Sequence, residues 1–235
     1  MSEKKQKKTK DEIIELIIVI MLGITALMVA WASWVSSLHG SDQAQNYTTS
    51  NNLAAEGNSE YNAAIQTLTQ DMMLYNEINS LMIDLHFSVT KGDMDEAEKI
   101  EWKIDELTAG NMSEELAEAF SWAMDEAQRL GESVSPFDKE GFIESYFEIA
   151  NELLKESEVL LQMGNADNDN SSAYALATVI FSVVLFLLGV AGTFKNERNK
   201  KAVIMIAGVA FILATVYMLT VPMPRDFNLL KFFGN

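Results

Sequence analysis

The sequence predicts an all-α membrane protein: three transmembrane helices plus an extracytoplasmic antiparallel four-helix bundle built on a long stalk helix. Three observations carry this. Three long apolar runs each reach the length of a bilayer crossing. Basic residues gather beside the ends of those runs. Between the first and second run, the polar sequence repeats at helical spacing with no proline before Pro136.

The first run, 13–35, contains twenty consecutive uncharged residues from Leu16 to Val35. At about 1.5 Å per residue these cover the roughly 30 Å hydrocarbon core of a bilayer. The second run spans 173–194 and the third 202–221. Lys4, Lys5, Lys7, Lys8 and Lys10 precede the first run, and Lys195, Arg198, Lys200 and Lys201 separate the second from the third. The positive-inside rule places both clusters in the cytoplasm. The expected topology is therefore a cytoplasmic basic tail (1–12), an outward first span, an extracytoplasmic domain (36–172), a hairpin of spans around a cytoplasmic loop (195–201), and an outer tail (222–235). Localisation follows as a multi-pass protein of the cell membrane. A secretory signal cleaved near Ala30-Trp31-Ala32 is the competing reading of the start, but the apolar run exceeds the usual 7–15 residues of a signal. An uncleaved anchor is expected, with Trp31 and Trp34 in an outer aromatic belt.

Small residues recur along the first span at Gly23, Ala26, Ala30, Ser33 and Ser37. Lipid tails give helices no hydrophobic reason to associate, so a small-residue stripe that admits close backbone approach is a common packing surface. Ala175, Thr178, Ser182, Gly189 and Gly192 repeat the pattern in the second span, and Ala207, Ala210 and Ala214 in the third. Such stripes serve packing within the chain or against a neighbouring subunit.

Beyond the first span, Tyr47, Ala54, Tyr61, Leu68 and Tyr75 follow one another at seven-residue intervals, continued by Met82, with Ser50, Gly57, Ala64, Asp71, Ile78 and Leu85 at companion positions. A heptad repeat implies a left-handed bundle or coiled coil. Gly92-Asp93 with Glu96 predicts the start of a helix that Gly110 ends, with Ala97, Ile100, Ile104 and Leu107 inside. Asn111 with Glu114 predicts another, ended by Gly131, burying Leu116, Phe120, Ala123, Ala127 and Leu130. After a turn at Ser135-Pro136-Phe137, a last helix from about Asp138 is expected to bury Phe142, Tyr146, Ile149, Leu153 and Leu160. Gly164 and the tract 165–170 read as a polar linker. At about 1.5 Å per residue the stalk would far outreach the two short helices, so its polar lower part is expected to pack on copies of itself or a membrane partner.

No sequence signature for catalysis, a cofactor or a metal is present, and there is no cysteine; the expectation is a non-enzymatic protein. His39 is expected at the membrane interface and His86 as a packed or surface residue. Residues 36–172 hold 28 acidic against 6 basic side chains, a formal charge of −22. Such a field concentrates cations non-specifically and repels nucleic acid. Calcium loops fail on inspection: after Asp93-Met94-Asp95, Glu98 stands where a turn glycine belongs and Ile104 where a closing glutamate belongs. The tract Asp167-Asn168-Asp169-Asn170 lacks both as well. If several first spans ringed an axis, Glu12 or Glu15 would form a cation-attracting mouth; the plainer role for these acids is to stabilise a helix N-terminus.

With a basic N-terminus, Ser41-Asp42-Gln43 after the first span, a helical insert and the hairpin Ala173–Val221, the layout resembles an uncharacterised prokaryotic three-span membrane protein family. The external helices are more weakly similar to the four-helix sensor domains of bacterial chemoreceptors, whose long cytoplasmic rod has no counterpart here. The resemblance implies no particular activity. The functional expectation is a homo-oligomeric envelope scaffold or sensory interaction module, with an oligomeric cation channel bearing an acidic external vestibule as the alternative.

Overall fold

A computed structural model describes residues 10–225 and Phe227, with side chains from Glu12 onward. The basic residues Lys4, Lys5, Lys7 and Lys8 and the apolar Leu230 and Phe233 lie outside the described residues. Every regular element described is helical: α1 (Lys10–Lys91), α2 (Met94–Asn111), α3 (Glu114–Leu130), a 3-10 turn (Pro136–Asp138), α4 (Phe142–Ser145), α5 (Glu148–Ala191) and α6 (Glu197–Thr220). Three of them, α1, α5 and α6, are long and apolar enough to cross a membrane. The described residues divide into two compact units, one of residues up to Thr49 with those from Val159 onward, the other Ser50–Glu158.

In the first unit, parts of α1 and α5 pack with α6. The buried positions keep a seven-residue interval on each helix: Ile18, Thr25, Ala32 and His39 on α1; Asp167, Tyr174, Phe181 and Leu188, with Ala177, Val184 and Ala191, on α5; Lys200, Ala207 and Ala214 on α6. A strict 3.5-residue repeat is the signature of left-handed supercoiling, because an unwound helix would let the seam drift off its partner. Ser36 and Ser171 fix α1 against α5: each hydroxyl donates to the other's backbone carbonyl, at 2.9 and 3.0 Å. Near the opposite end of α1, Lys200 Nζ lies 3.5 Å from Glu15 Oε1. Trp31, Trp34 and Phe227 form a cluster with ring centroids 5.5–5.8 Å apart. The small-residue stripe of α1 takes no part in this packing: Gly23, Ala26, Ala30, Ser33 and Ser37 are all exposed, as are Ala175, Ser182, Gly189 and Gly192 on α5, whereas Ala207 and Ala214 on α6 are buried.

The second unit gathers the later part of α1, the short helices and the start of α5. Its buried α1 positions are Ser50, Gly57, Ala64, Asp71 and Ile78 of the companion set, with Leu74 and Ser88. Ala54, Leu68 and Tyr75 flank them half-buried, and Tyr61 is exposed. Small residues at the centre let α5 approach: Ser50 Oγ donates to the Ser157 carbonyl at 2.8 Å, and Ser157 Oγ returns the bond to the Ser50 carbonyl at 2.9 Å. Toward α3 the core is aromatic, with Tyr75, Phe137, Phe142 and Tyr146 in successive edge contacts 5.2–5.3 Å apart. Asp71 is buried and accepts from the Ser113 backbone N–H, the Ser113 hydroxyl and the Tyr146 hydroxyl.

Local expectations meet a mixed outcome. Asp93 caps α2 by accepting the Glu96 N–H, and Gly131 closes α3 in the left-handed conformation, φ 75°. Helix α2 runs through Gly110 to Asn111, however, and α3 is capped by Ser113, whose hydroxyl accepts the Leu116 N–H. The helix expected from Asp138 is interrupted, and α5 begins only at Glu148. Leu130 and Ile149 are exposed. The tract 165–170 is helical within α5, because its polar side chains find partners on α1: Tyr47 donates to Asn165 and Asn46 to Asp167. Asn46 and Tyr47 of α1 are thereby partnered inside the chain.

Gly57 tests the close approach. A Cβ there would sit 2.9 Å from Leu154 Cγ and 3.3 Å from the Ala150 carbonyl oxygen, backbone that cannot step aside. Gly57→Ala should therefore destabilise the chain despite the ~1 kcal/mol that alanine gains over glycine in a helix, by about 1–3 kcal/mol of overpacking. Gly110→Ala, with open space around its Cβ, should stabilise; thermal melts followed by circular dichroism compare the two. Burial, the largest cause, pushes the Tyr146 phenol pKa up; the Ser113 hydrogen bond opposes it and the Asp71 carboxylate adds to it. Below about pH 10 folded and unfolded chains both keep this proton, and above it the unfolded chain releases it first, so stability falls as pH rises. Denaturant titrations at alkaline pH should show a shallower fall for Tyr146→Phe than for the native chain.

Candidate functional site

The most unusual chemistry lies in the first unit, around a buried histidine. His39 follows Ala32 by one heptad on α1 and is 1% exposed. Its Nδ1 lies 3.1 Å from Asp167 Oδ1 on α5, and its Nε2 3.1 Å from the carbonyl oxygen of Pro222. The Tyr174 ring stacks on the imidazole at 5.9 Å with 26° between planes. Asn46 Nδ2 donates to the second carboxylate oxygen of Asp167 at 3.0 Å. Three segments distant in sequence thus meet at one imidazole.

Each position has a local cause. Helix α6 ends at Thr220 with Val221 as its C-cap; Pro222 cannot continue a helix, so the chain turns away. Tyr174 Oη donates to the Val221 carbonyl at 3.3 Å, and His39 takes the next carbonyl along. Arg225 Nη1 donates to Met163 Sδ at 3.0 Å, and Phe227 rests on Trp31 and Trp34. Residues 221–225 and Phe227 therefore lie strapped onto α1 and α5.

The hydrogen bonds dictate the proton inventory. A carbonyl oxygen has no hydrogen, so Nε2 must carry one and donate it. The contact between Nδ1 and the carboxylate needs a proton too, held on Nδ1 as an imidazolium facing a carboxylate or on Oδ1 facing a neutral ring nitrogen. Both hydrogen bonds are made at once only when the pair holds one proton more than a neutral imidazole beside an ionised carboxylate. An aspartate orienting a histidine is half of a general acid–base arrangement, but here Nε2 is committed to Pro222.

The other singled-out residues are dispersed. Glu15 pairs with Lys200, and Glu12 is an exposed residue of the first turns of α1. Asp93 is engaged as a helix cap and Asp167 by His39 and Asn46. His86 is exposed. Among the described residues, no three His, Asp or Glu side chains converge as metal ligands. Sequence reading missed the His39 centre because its partners lie 128 and 183 residues away. The available signal was that Asp167 stands one heptad before Tyr174, in register with the apolar seam of α5. Comparison with protein-family models finds no match, and neither the curated proteins nor the solved structures show a significant one.

Removing one partner of a buried, hydrogen-bonded charge pair typically costs about 3–5 kcal/mol. His39→Ala should therefore destabilise the folded chain by that order, and Asp167→Asn by much less, since the amide keeps both contacts; guanidinium-induced unfolding in detergent measures the difference.

Proposed function

We propose that this chain is a three-span membrane protein with a cytoplasmic N-terminus and an outer helical domain, acting as a non-enzymatic envelope scaffold or sensory interaction module assembled as a homo-oligomer. The supporting observation is what α1 leaves uncovered in each unit. In the first, the stripe Gly23, Ala26, Ala30, Ser33 and Ser37 faces outward. In the second, Ile65, Met72, Ile83 and Phe87 share a face away from the core, Ile83 and Phe87 being 64% and 58% exposed. A small-residue stripe suits close contact with the same stripe of a second copy, where lipid provides no competing hydrophobic drive. An apolar stripe in water gains by being covered.

The second reading, an oligomeric cation channel, draws support from the 28:6 acid excess of residues 36–172. Within one chain the three-helix seam is filled by side chains such as Phe181 and Leu188, so a pore would have to lie between copies. Glu15 would reach it only by sharing its carboxylate with Lys200.

Native mass spectrometry of the nanodisc-extracted chain should give a homo-oligomer, and a monomer would overturn the assembly. Gly23→Leu with Ala30→Leu should lower the oligomeric fraction by about 1–3 kcal/mol of lost fit while leaving helix content unchanged, since both positions are exposed in the single chain. Cation flux from the reconstituted oligomer would replace the scaffold reading with the channel.

A further inference from the structure

We propose that the His39–Asp167 pair is a proton-dependent latch that holds the segment after α6 onto α1 and α5. With the shared proton present, the imidazole donates to the Pro222 carbonyl while remaining bonded to Asp167. When that proton leaves for water, a single N–H remains on the ring. If it stays on Nε2, the Nδ1 lone pair faces the carboxylate at 3.1 Å. If it moves to Nδ1, the Nε2 lone pair faces the Pro222 carbonyl. Both outcomes set two acceptors against each other in a site His39 occupies at 1% exposure, where an unmade hydrogen bond is expensive.

The relief falls on the weakest of the three attachments. Helices α1 and α5 are locked by the reciprocal Ser36–Ser171 bonds. Beyond the Val221 N–H on the Met218 carbonyl, residues 221–225 have no helical ladder; they are held by the His39 bond, by the Tyr174 hydroxyl on Val221 at 3.3 Å and on Met223 Sδ at 3.6 Å, by a sulfur contact of Arg225, and through Phe227 on Trp31 and Trp34. Loss of the proton therefore lets the strap go. The titratable and charged groups around His39 are Asp167 and Tyr174 on α5, Asp42 one turn on along α1, and Arg225 on the strap; from the end of α6 the imidazole meets a carbonyl rather than a charge. The latched form holds one proton more than the released pair, so by linkage acid closes the latch and rising pH opens it.

The chain has no cysteine, so Ser41→Cys with Met223→Cys, both at exposed positions, can carry two spin labels in the full chain. Labelled chain diluted into unlabelled chain in nanodiscs isolates the distance within one molecule. Over a titration from about pH 5 to about pH 9, pulsed electron paramagnetic resonance should show one narrow distance at the acid end. A longer, broader component should grow on raising pH, its ratio to the first rising by up to about tenfold per pH unit, the limit for one proton. In Asp167→Asn the amide nitrogen donates to Nδ1 and its oxygen still accepts from Asn46, so the narrow distance should persist to the alkaline end. His39→Phe should show the broad component throughout. A native chain with the same distance at both ends of the range, or an Asp167→Asn variant that titrates like the native chain, overturns the latch.

Discussion

The closeness of α1 to α5 governs each unit. A serine hydroxyl can donate to a carbonyl of a neighbouring helix only when the two axes approach to about 8 Å, the near end of the usual range. Ser36 with Ser171 and Ser50 with Ser157 do this reciprocally. The carbonyls involved already accept their own helix's N–H, so the bond uses their second lone pair and leaves the helical ladder intact. Gly57 beside Leu154 and Gly164 beside the Tyr47 ring belong to the same geometry. Larger residues at these positions would push the helices apart and, with them, the partners of every buried polar group.

Those polar groups are numerous for cores of this size. Asp71 lies beside aromatic rings and, among the described residues, pairs with no cation; three donors from Ser113 and Tyr146 answer its charge instead. Asp167 is answered by an imidazole and an amide. Among the described residues no buried side-chain nitrogen or oxygen lacks a partner. Complete satisfaction makes such networks specific, because a slip of one residue on any helix leaves a donor or acceptor stranded. Apolar seams with a seven-residue repeat tolerate slips of a whole heptad; the serines and carboxylates do not.

Much of this architecture is legible in the residues. Charge-free windows define the three long apolar helices, Asp93 and Gly131 mark helix ends by side-chain and backbone chemistry, and Ser135-Pro136 predicts the turn between α3 and α4. What resists reading is decided by distant partners. Asn165 to Asn170 are turn-formers by local preference, yet Tyr47 and Asn46 reward the helical conformation by bonding Asn165 and Asp167. Asn111 and Ser113 are both competent caps, and Asp71, 42 residues earlier, selects Ser113. The heptad of Tyr47, Ala54, Tyr61, Leu68 and Tyr75 is correctly periodic, but large rings draw attention to a flank while the small companions mark the seam. His39 stands at the end of an apolar run, and nothing near it in sequence announces its partners Asp167 and Pro222.

The separation between His39 and Pro222 has a temporal side. Chains elongate at roughly 5–20 residues per second, so the 183 residues between them take roughly 10–40 s to make. Throughout that interval the imidazole and, once it is synthesised, the Asp167 carboxylate have no capping carbonyl from the last helix. The nascent chain must keep this corner hydrated or otherwise occupied while α5 is already able to pair with α1. Arrival of Pro222 is then the event that seals it, which makes the final helix the checkpoint for burying the polar centre.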